Sequence, residues 1–457
     1  MSTIDEGAGQ PEESDVSAPN HLHRISKVVQ LSAAAVVKLE KRLVTAEERL
    51  ASLEGEVRSM RQEVALACRR GSPRPGMPIR VMFLVDYIAT WDTLDGIYRA
   101  MVEAPDFEPL VASIPHDFRT NNEFIGEDET HQGLLDAGIP HFRFNSEDRR
   151  ADLELLRSLE PDVIFRQTPW DNIVPPEFRT EEIQFARLCY LPYGYYTAAW
   201  VAHQFNQYYQ RMCWRVFYPD QAHLDLHREN AQRGVTNAVV TGYPKFDRLL
   251  ETGRDGGRWP INRGKKSYRV IWAPHHLCQN GLDFGTFHQN YQQALEWVRD
   301  NPEIEVVLKP HPLLFEREAD GVIPKQALLE FKAAWCALPN AAFVEGNRYG
   351  PLFAASDAMI TDGLSFFSEY QLFDKPLIYL DSQRHIGFNR AGQGLLEGMY
   401  RVTSFGEAIS LIDRFRQGGG DTLRDARARV LDRIYLNRGR AAEKVVEEIR
   451  RGLRGGA

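Results

Sequence analysis

Three segments of this sequence run from an apolar stretch straight into residues that can hold a phosphate or move a proton. Val306-Val307-Leu308 leads into Lys309-Pro310-His311-Pro312. The prolines fix the backbone and end the strand. Lys309 and His311 are thereby presented at its carboxyl end, where α/β sheets bind ligands. Lysine supplies a point charge for phosphate, and histidine can donate to a phosphate oxygen or shuttle a proton. Val270-Ile271-Trp272-Ala273-Pro274 leads in the same way to His275 and His276. Paired histidines invite a metal, but no carboxylate at ligand spacing accompanies them, so no metal is expected at the site. In the third segment, Ala358-Met359-Ile360-Thr361-Asp362 meets Gly363, and a helix is expected to open near Ser365. Free N–H groups at such a turn favour an anion, and the Ser365 hydroxyl adds a donor. Glu369 lies one turn further on, placed for a ribose hydroxyl. Asp362 and Ser365 also suit helix capping, a role that coexists with phosphate binding.

These groups need a sheet to aim them. Ile79–Val85 is apolar and β-branched, as a buried parallel strand should be. Strands are expected near 162–165, 187–191, 216–218 and 238–240, with a helix over 153–159. A second series follows, with strands near 268–272, 305–308, 342–344, 358–360 and 377–379 and helices over 287–300 and 328–337. The alternation predicts α/β domains with mainly parallel sheets. The loop Asp86–Asp92, with Trp91, follows the first strand and is placed to stack on or hydrogen-bond an acceptor.

Bulk properties bound the rest. With 457 residues, two globular units plus appendages are expected. The net charge of −8 supplies no field for nucleic acid. The cysteines are scattered and odd in number, which fits a reducing compartment. The acidic N-terminus is no secretory signal, and no apolar run approaches the roughly 20 residues of a membrane span. The reading is a cytoplasmic protein, with room for peripheral attachment to the inner face of a membrane.

Residues 1–21 are polar and expected to be disordered. Within 22–70, Val36, Leu39, Leu43, Ala46, Leu50, Leu53, Val57, Met60, Val64 and Ala67 follow alternating steps of three and four. That seam predicts an N-terminal α-helical coiled coil and a homo-oligomer through residues 36–67. Residues 71–78 read as a linker, 79–250 as a first Rossmann-like domain for the acceptor and 251–266 as an interdomain linker. Residues 267–405 read as a nucleotide-donor domain and 406–457 as C-terminal helices. Two Rossmann-like domains facing each other make the GT-B plan, with ligands in the crevice between them.

The three chemical segments together resemble the CDP-glycerol glycerophosphotransferase (teichoic acid polymerase-like) family. Lys309-Pro310-His311-Pro312 is similar to its Lys/Arg-x-His-Pro motif. Thr361 to Tyr370, followed by Lys375-Pro376-Leu377, is similar to its Thr-Asp-Tyr-Ser-Ser region. Thr241-Gly242-Tyr243-Pro244-Lys245-Phe246-Asp247 resembles its Gly-x-Pro-Arg-x-Asp hinge segment. The resemblance implies a metal-independent GT-B transferase without cofactor. It would take a nucleotide-activated donor such as a CDP-alditol and a polymer or glycolipid acceptor of the cell surface or capsule. Carried over by position, His311 binds the donor phosphates or assists the leaving group, and Asp362, Ser365 and Glu369 line the donor pocket. Beside this carry-over, His275 and Tyr193 are read as catalytic and His276, Lys309, Thr361 and Gly363 as donor-binding. Asp86, Trp91 and Gly194 face the acceptor. The sequence departs from the family at Gly363 and Leu364, and at Pro192-Tyr193-Gly194-Tyr195, where Tyr193 stands in place of a basic histidine. Tyrosine, with a pKa near 10, is a poor base at neutral pH. His203, His275 and His276 are the other candidates for that work. Two alternatives carry different chemistry: a GT-B nucleotide-sugar 2-epimerase, and a degenerate transferase acting as a coiled-coil scaffold.

Overall fold

The computed structural model of the chain describes residues 76–454, apart from 119–120, 122, 233–236, 255–256, 265–266, 277–281, 317–321 and 347, together with helical positions between 27 and 60. The chain divides into two units, Met1–Cys68 and Arg69–Ala457. In the first, residues 35–50 are helical. Val36, Leu39, Leu43, Leu50, Leu53, Val57 and Met60 of the seam are exposed. Val64, Ala67 and the tail expected over 1–21 lie outside the described residues.

The second unit contains two parallel sheets. The first comprises β1 (Ile79–Val85), β2 (Phe107–Ser113), β3 (Phe142–Arg143), β4 (Val163–Arg166), β5 (Arg187–Tyr190), β6 (Arg215–Tyr218) and β7 (Ala238–Val240), in the order β3-β2-β1-β4-β5-β6-β7. The second comprises β8 (Tyr268–Ala273), β9 (Ile304–Leu308), β10 (Ala341–Phe343), β11 (Ala358–Thr361), β12 (Leu377–Leu380) and β13 (Tyr400–Val402), in the order β10-β9-β8-β11-β12-β13. Each order reverses beside its first strand, so each sheet has the switch point at which doubly wound folds bind ligands. The central strands are buried along almost their whole length. This is why they read as continuous apolar runs.

Three strands were not legible. In β2, Pro109 faces Val81 of β1, while β3 pairs only with Ala112 and Ser113. Pro109 therefore borders no strand on its other side, a position that tolerates a residue without N–H. β3 and β13 are short edge strands. The expected interdomain linker also begins later: the helix α3 (Pro244–Arg254) runs through residues 251–254.

The Gly-x-Pro segment before that helix acquires a structural reason. Gly242 has φ +81, and a Cβ there would stand 2.4 Å from the Leu436 carbonyl oxygen. Pro244 opens α3, consistent with its fixed φ. The Asp247 carboxylate accepts from the N–H groups of Gly439 and Ala441 and from the Tyr435 hydroxyl at 2.8 Å. The chain is thus clamped where it returns from the second sheet. The last helix, α9 (Ala441–Arg454), packs on α1 (Asp92–Val102), and Arg450 pairs with Asp106 at 2.7 Å. Among the described residues no helix is long and apolar enough to cross a membrane.

Candidate active site

The ends of β8 and β9 carry the densest chemistry. The Lys309 N–H donates to Trp272 O at 2.8 Å, and the His311 N–H to Pro274 O at 3.0 Å. These bonds extend the β8–β9 pairing beyond the strands and bring their two loops together. The rings of His275, His276 and His311 lie 4.1 to 4.9 Å apart between centroids. Burial, then His276, pushes the His275 pKa well down, so that ring is neutral.

The Lys309 side chain is almost wholly buried, at 4% exposure. Its ammonium lies 5.9 Å from the Tyr349 ring centre and makes no ion pair among the described residues. Burial pulls its pKa down to about 8, partly offset by Glu345 and Glu369. A buried cation without a contacting counter-charge is costly, and an anion at this spot would relieve that cost.

The three imidazoles have ligand atoms within 4.8 Å of one another, close enough to suggest a transition metal. The hydrogen bonding of His311 points the other way. Its Nδ1 accepts the Leu313 N–H at 3.2 Å. A neutral ring with Nδ1 as acceptor carries its proton on Nε2, and that nitrogen donates to anions instead of ligating cations.

The third segment is used differently from the expectation. The Asp362 carboxylate accepts from the N–H of His275, and from the N–H and hydroxyl of Thr286 at 2.6 and 2.7 Å. It pins the β8 loop to the start of α4 (Phe287–Asp300) and is 1% exposed. Burial raises its pKa to about 6 despite these bonds. Thr361 likewise works internally, donating to Ala273 O at 2.6 Å and accepting the Gly363 N–H at 2.9 Å. These two residues shape the loops, whereas Ser365 is exposed. The helix that follows, α6 (Leu364–Glu369), has only six residues, so its macrodipole is small.

Glu369 meets the other half of the molecule. Its carboxylate accepts the Tyr349 hydroxyl at 2.6 Å and pairs with Lys245 at 2.9 Å. Lys245, at the start of α3, also pairs with Asp92 at 3.2 Å, at the start of α1. Asp92, half-buried, and the buried Lys245 and Glu369 thus form a bridge between the two sheets. Sequence reasoning noted Lys245 only as part of a motif and Asp92 only as the end of the loop after β1.

The first sheet's own candidates fare unevenly. Trp91 is 5% exposed and packs edge-on against Phe83 and beside Tyr98. It belongs to the core and cannot stack on an acceptor. Asp86 is fully buried and accepts the Thr168 hydroxyl at 2.8 Å. Gly194 is half-buried, and an added Cβ would meet nothing within 4 Å. The Tyr193 pKa is pushed up to about 12 by burial and then by Asp86, further from that of a base at neutral pH. Behind it, Tyr195 donates to Asp220, which also accepts from the His223 N–H and ring at 3.0 and 2.9 Å. An aromatic row runs outward instead. Tyr193 meets Trp170 at 5.7 Å, Trp170 stacks on His203 at 5.1 Å, and His203 stacks on Trp200 at 3.9 Å. Trp200 is 47% exposed, next to a bridge between Ala198 and Phe388 that joins the two halves.

Comparison with known proteins follows the same division. A putative UDP-N-acetylglucosamine 2-epimerase from Listeria monocytogenes superposes with a TM-score of 0.57 at 15% identity, covering 82% of this chain and 97% of that one. The UDP-GlcNAc 2-epimerase from Neisseria meningitidis bound to UDP-GlcNAc gives 0.54 at 12% identity, covering 81% and 100%. That from Methanocaldococcus jannaschii, in complex with UDP-GlcNAc and UDP, gives 0.53 at 11%, covering 81% and 99%. At such identities the likeness establishes a GT-B-like pair of Rossmann-type domains and no more. No curated protein matches the chain. The model of the CDP-Glycerol:Poly(glycerophosphate) glycerophosphotransferase family matches residues 228–451, which include the Lys309-to-Pro312 and Thr361-to-Tyr370 segments. Over those residues the chain is similar to that glycerophosphotransferase family.

Proposed function

We propose that this protein transfers an alditol phosphate from a CDP-glycerol-like donor to a hydroxyl of a cell-surface or capsular polymer. The observation that carries the reading is the buried Lys309 ammonium without a contacting carboxylate among the described residues, beside three clustered imidazoles. A diphosphate there gains one buried charge-assisted contact and neutral N–H donors from His311 and its neighbours. As the acceptor oxygen attacks the phosphorus bearing the alditol, the bond to CMP breaks. Lys309 and His311 would stabilise the charge that the departing CMP gains. The family match over residues 228–451 supports this reaction over epimerisation. On the opposite side, the row from Trp200 to Tyr193 offers ring faces to a polymeric acceptor.

The exposed seam of the N-terminal helix supports a further part of the reading: self-association through residues 36–67, which gives avidity for a multivalent polymer. Calorimetry with CDP, UDP and GDP on the full chain tests the central claim. CDP binding in the micromolar range, preferred over the other two, is the expected result. No binding of any of the three would rule the transferase out in favour of a scaffold.

A further inference from the structure

We propose that Asp92 is the general base that takes the proton from the acceptor hydroxyl, in the place left open by Tyr193. The inference rests on the transferase reading above.

By the resemblance, Tyr193 stands where the family carries a basic histidine, and burial raises its pKa to about 12, too high for a base at neutral pH. The base must come from another group on the first sheet's side of the cleft that faces the donor half. Asp92 opens α1 immediately after the β1 loop, and its carboxylate reaches Lys245, which in turn holds Glu369 of the donor half. One Asp92 oxygen, Oδ2, is engaged by that ammonium at 3.2 Å. The other, Oδ1, is buried and has no hydrogen-bond partner among the described residues. The side chain as a whole is 28% exposed although Oδ1 is covered, so an acceptor reaches that oxygen by a turn of the carboxylate. Asp86, at the end of β1, also has a buried oxygen without a partner, but it is fully enclosed.

The charged and titratable groups facing Asp92 are Lys245, Glu369 and Asp95, with Tyr243 and Tyr349 nearby. Burial raises its pKa to about 6, with Lys245 pulling down and Glu369 and Asp95 pushing up. A carboxylate so placed is ionised at neutral pH yet more basic than an exposed one, as a general base should be.

In the step, Asp92 accepts the proton of the acceptor O–H while that oxygen forms its bond to the donor phosphorus. The phosphorus–oxygen bond to CMP breaks, and CMP leaves with the electron pair. The products are the acceptor–alditol phosphodiester, CMP and one proton, which Asp92 then returns to solvent.

The test measures CMP release from CDP-glycerol, with cell-envelope polymer of the source organism as acceptor, across pH 5–9. Asp92→Asn is expected to lower kcat by about 10²-fold or more, with the KM for CDP-glycerol and CDP binding preserved. The acid limb near pH 6 should vanish from its profile. In Lys245→Met that limb should move to higher pH, because a positive charge beside the carboxylate is gone. A purely structural role for Asp92 would leave the limb in place. Asp92→Asn activity within tenfold of the parent overturns the assignment, as does loss of the limb in Asp86→Asn but not in Asp92→Asn. A parent that binds CDP but releases no CMP also overturns it. A parent that binds no nucleotide overturns the transferase reading beneath it.

Discussion

The two sheets of this protein share a strand order around their first strands but leave different polar groups unmet. The second sheet holds a cationic lysine and three histidines at the ends of β8 and β9, with the charge on Lys309 unpaired among the described residues. The first sheet ties many of its polar groups to one another, while Asp86 and Asp92 each keep one buried oxygen without a partner among the described residues. Tyr195 and His223 share Asp220 as their buried acceptor, and Tyr190 and Tyr196 join hydroxyls at 2.6 Å. A ligand-binding wall keeps unmet hydrogen-bonding and charge demand, whereas a scaffold wall satisfies it internally. By that measure the donor side is prepared for an anion. The first sheet's side is a packed surface from which an aromatic row leads out to Trp200.

The contrast can be broken most directly at His311. His311→Ala should keep its circular dichroism spectrum while CMP release falls about 10²- to 10⁴-fold, the range of general acid–base contributions. Activity within a factor of ten of the parent would remove the histidine from the chemistry. The opposite behaviour is expected of Asp220→Ala, which leaves the Tyr195 hydroxyl and the His223 donors buried without their acceptor. It should destabilise the fold by about 3 kcal/mol in denaturant unfolding while the remaining folded protein binds CDP as the parent does. A selective loss of CDP affinity at full stability would show that this set serves the ligand.

A smaller effect is expected at Lys309. Lys309→Met should weaken CDP binding by roughly ten- to thirtyfold, the worth of one charge-assisted contact. The sign of the pH dependence follows from its lowered pKa. The side chain is cationic below about 8 and neutral above. Parental CDP affinity should therefore decline as pH rises through that value, and in the variant this decline should be absent. Bound phosphate raises the lysine pKa, so the decline should begin near 8 and level off above the higher pKa of the complex. Turnover in EDTA should equal turnover without it, since the His311 tautomer favours an anion over a cation. Loss restored by zinc would place an ion among the three imidazoles. The smallest change at the site is expected from removing residues 1–68. CDP affinity should stay constant while light scattering reports a lower mass. An unchanged mass would show that the exposed seam serves something other than self-association.

Much of the donor half was legible because its signals are local. Val306-Val307-Leu308 must be a buried strand, and Pro310 and Pro312 must end it, so the placement of Lys309 and His311 follows from neighbours in the chain. The same logic failed for Trp91. A loop tryptophan after a strand can face a ligand or the core, and only the positions of Phe83 and Tyr98 send it inward. Asp362 shows a subtler failure. Its place at the end of β11 was readable, but its use was not. The Thr286 groups and the His275 N–H consume its lone pairs, and neither residue is near it in sequence.

The sequence by itself determined where most strands lie and that they run parallel. Alternating apolar runs and helices joined by short connections can only be wound as parallel sheets with right-handed crossovers. It also determined which residues stand at the strand ends, since a strand's last residues are decided by its own pattern and its prolines. What only the tertiary structure decided is which of those groups meet. Asp92, Lys245 and Glu369 come from α1, α3 and α6, and nothing in their local spacing relates them. They converge because α1 packs on α3 and because α3 spans the boundary between the two sheets, with Gly242 and Asp247 clamping the returning chain. Contacts of that kind depend on how whole elements pack, and the charge of a residue in the sequence does not reveal which partner the packing will bring to it.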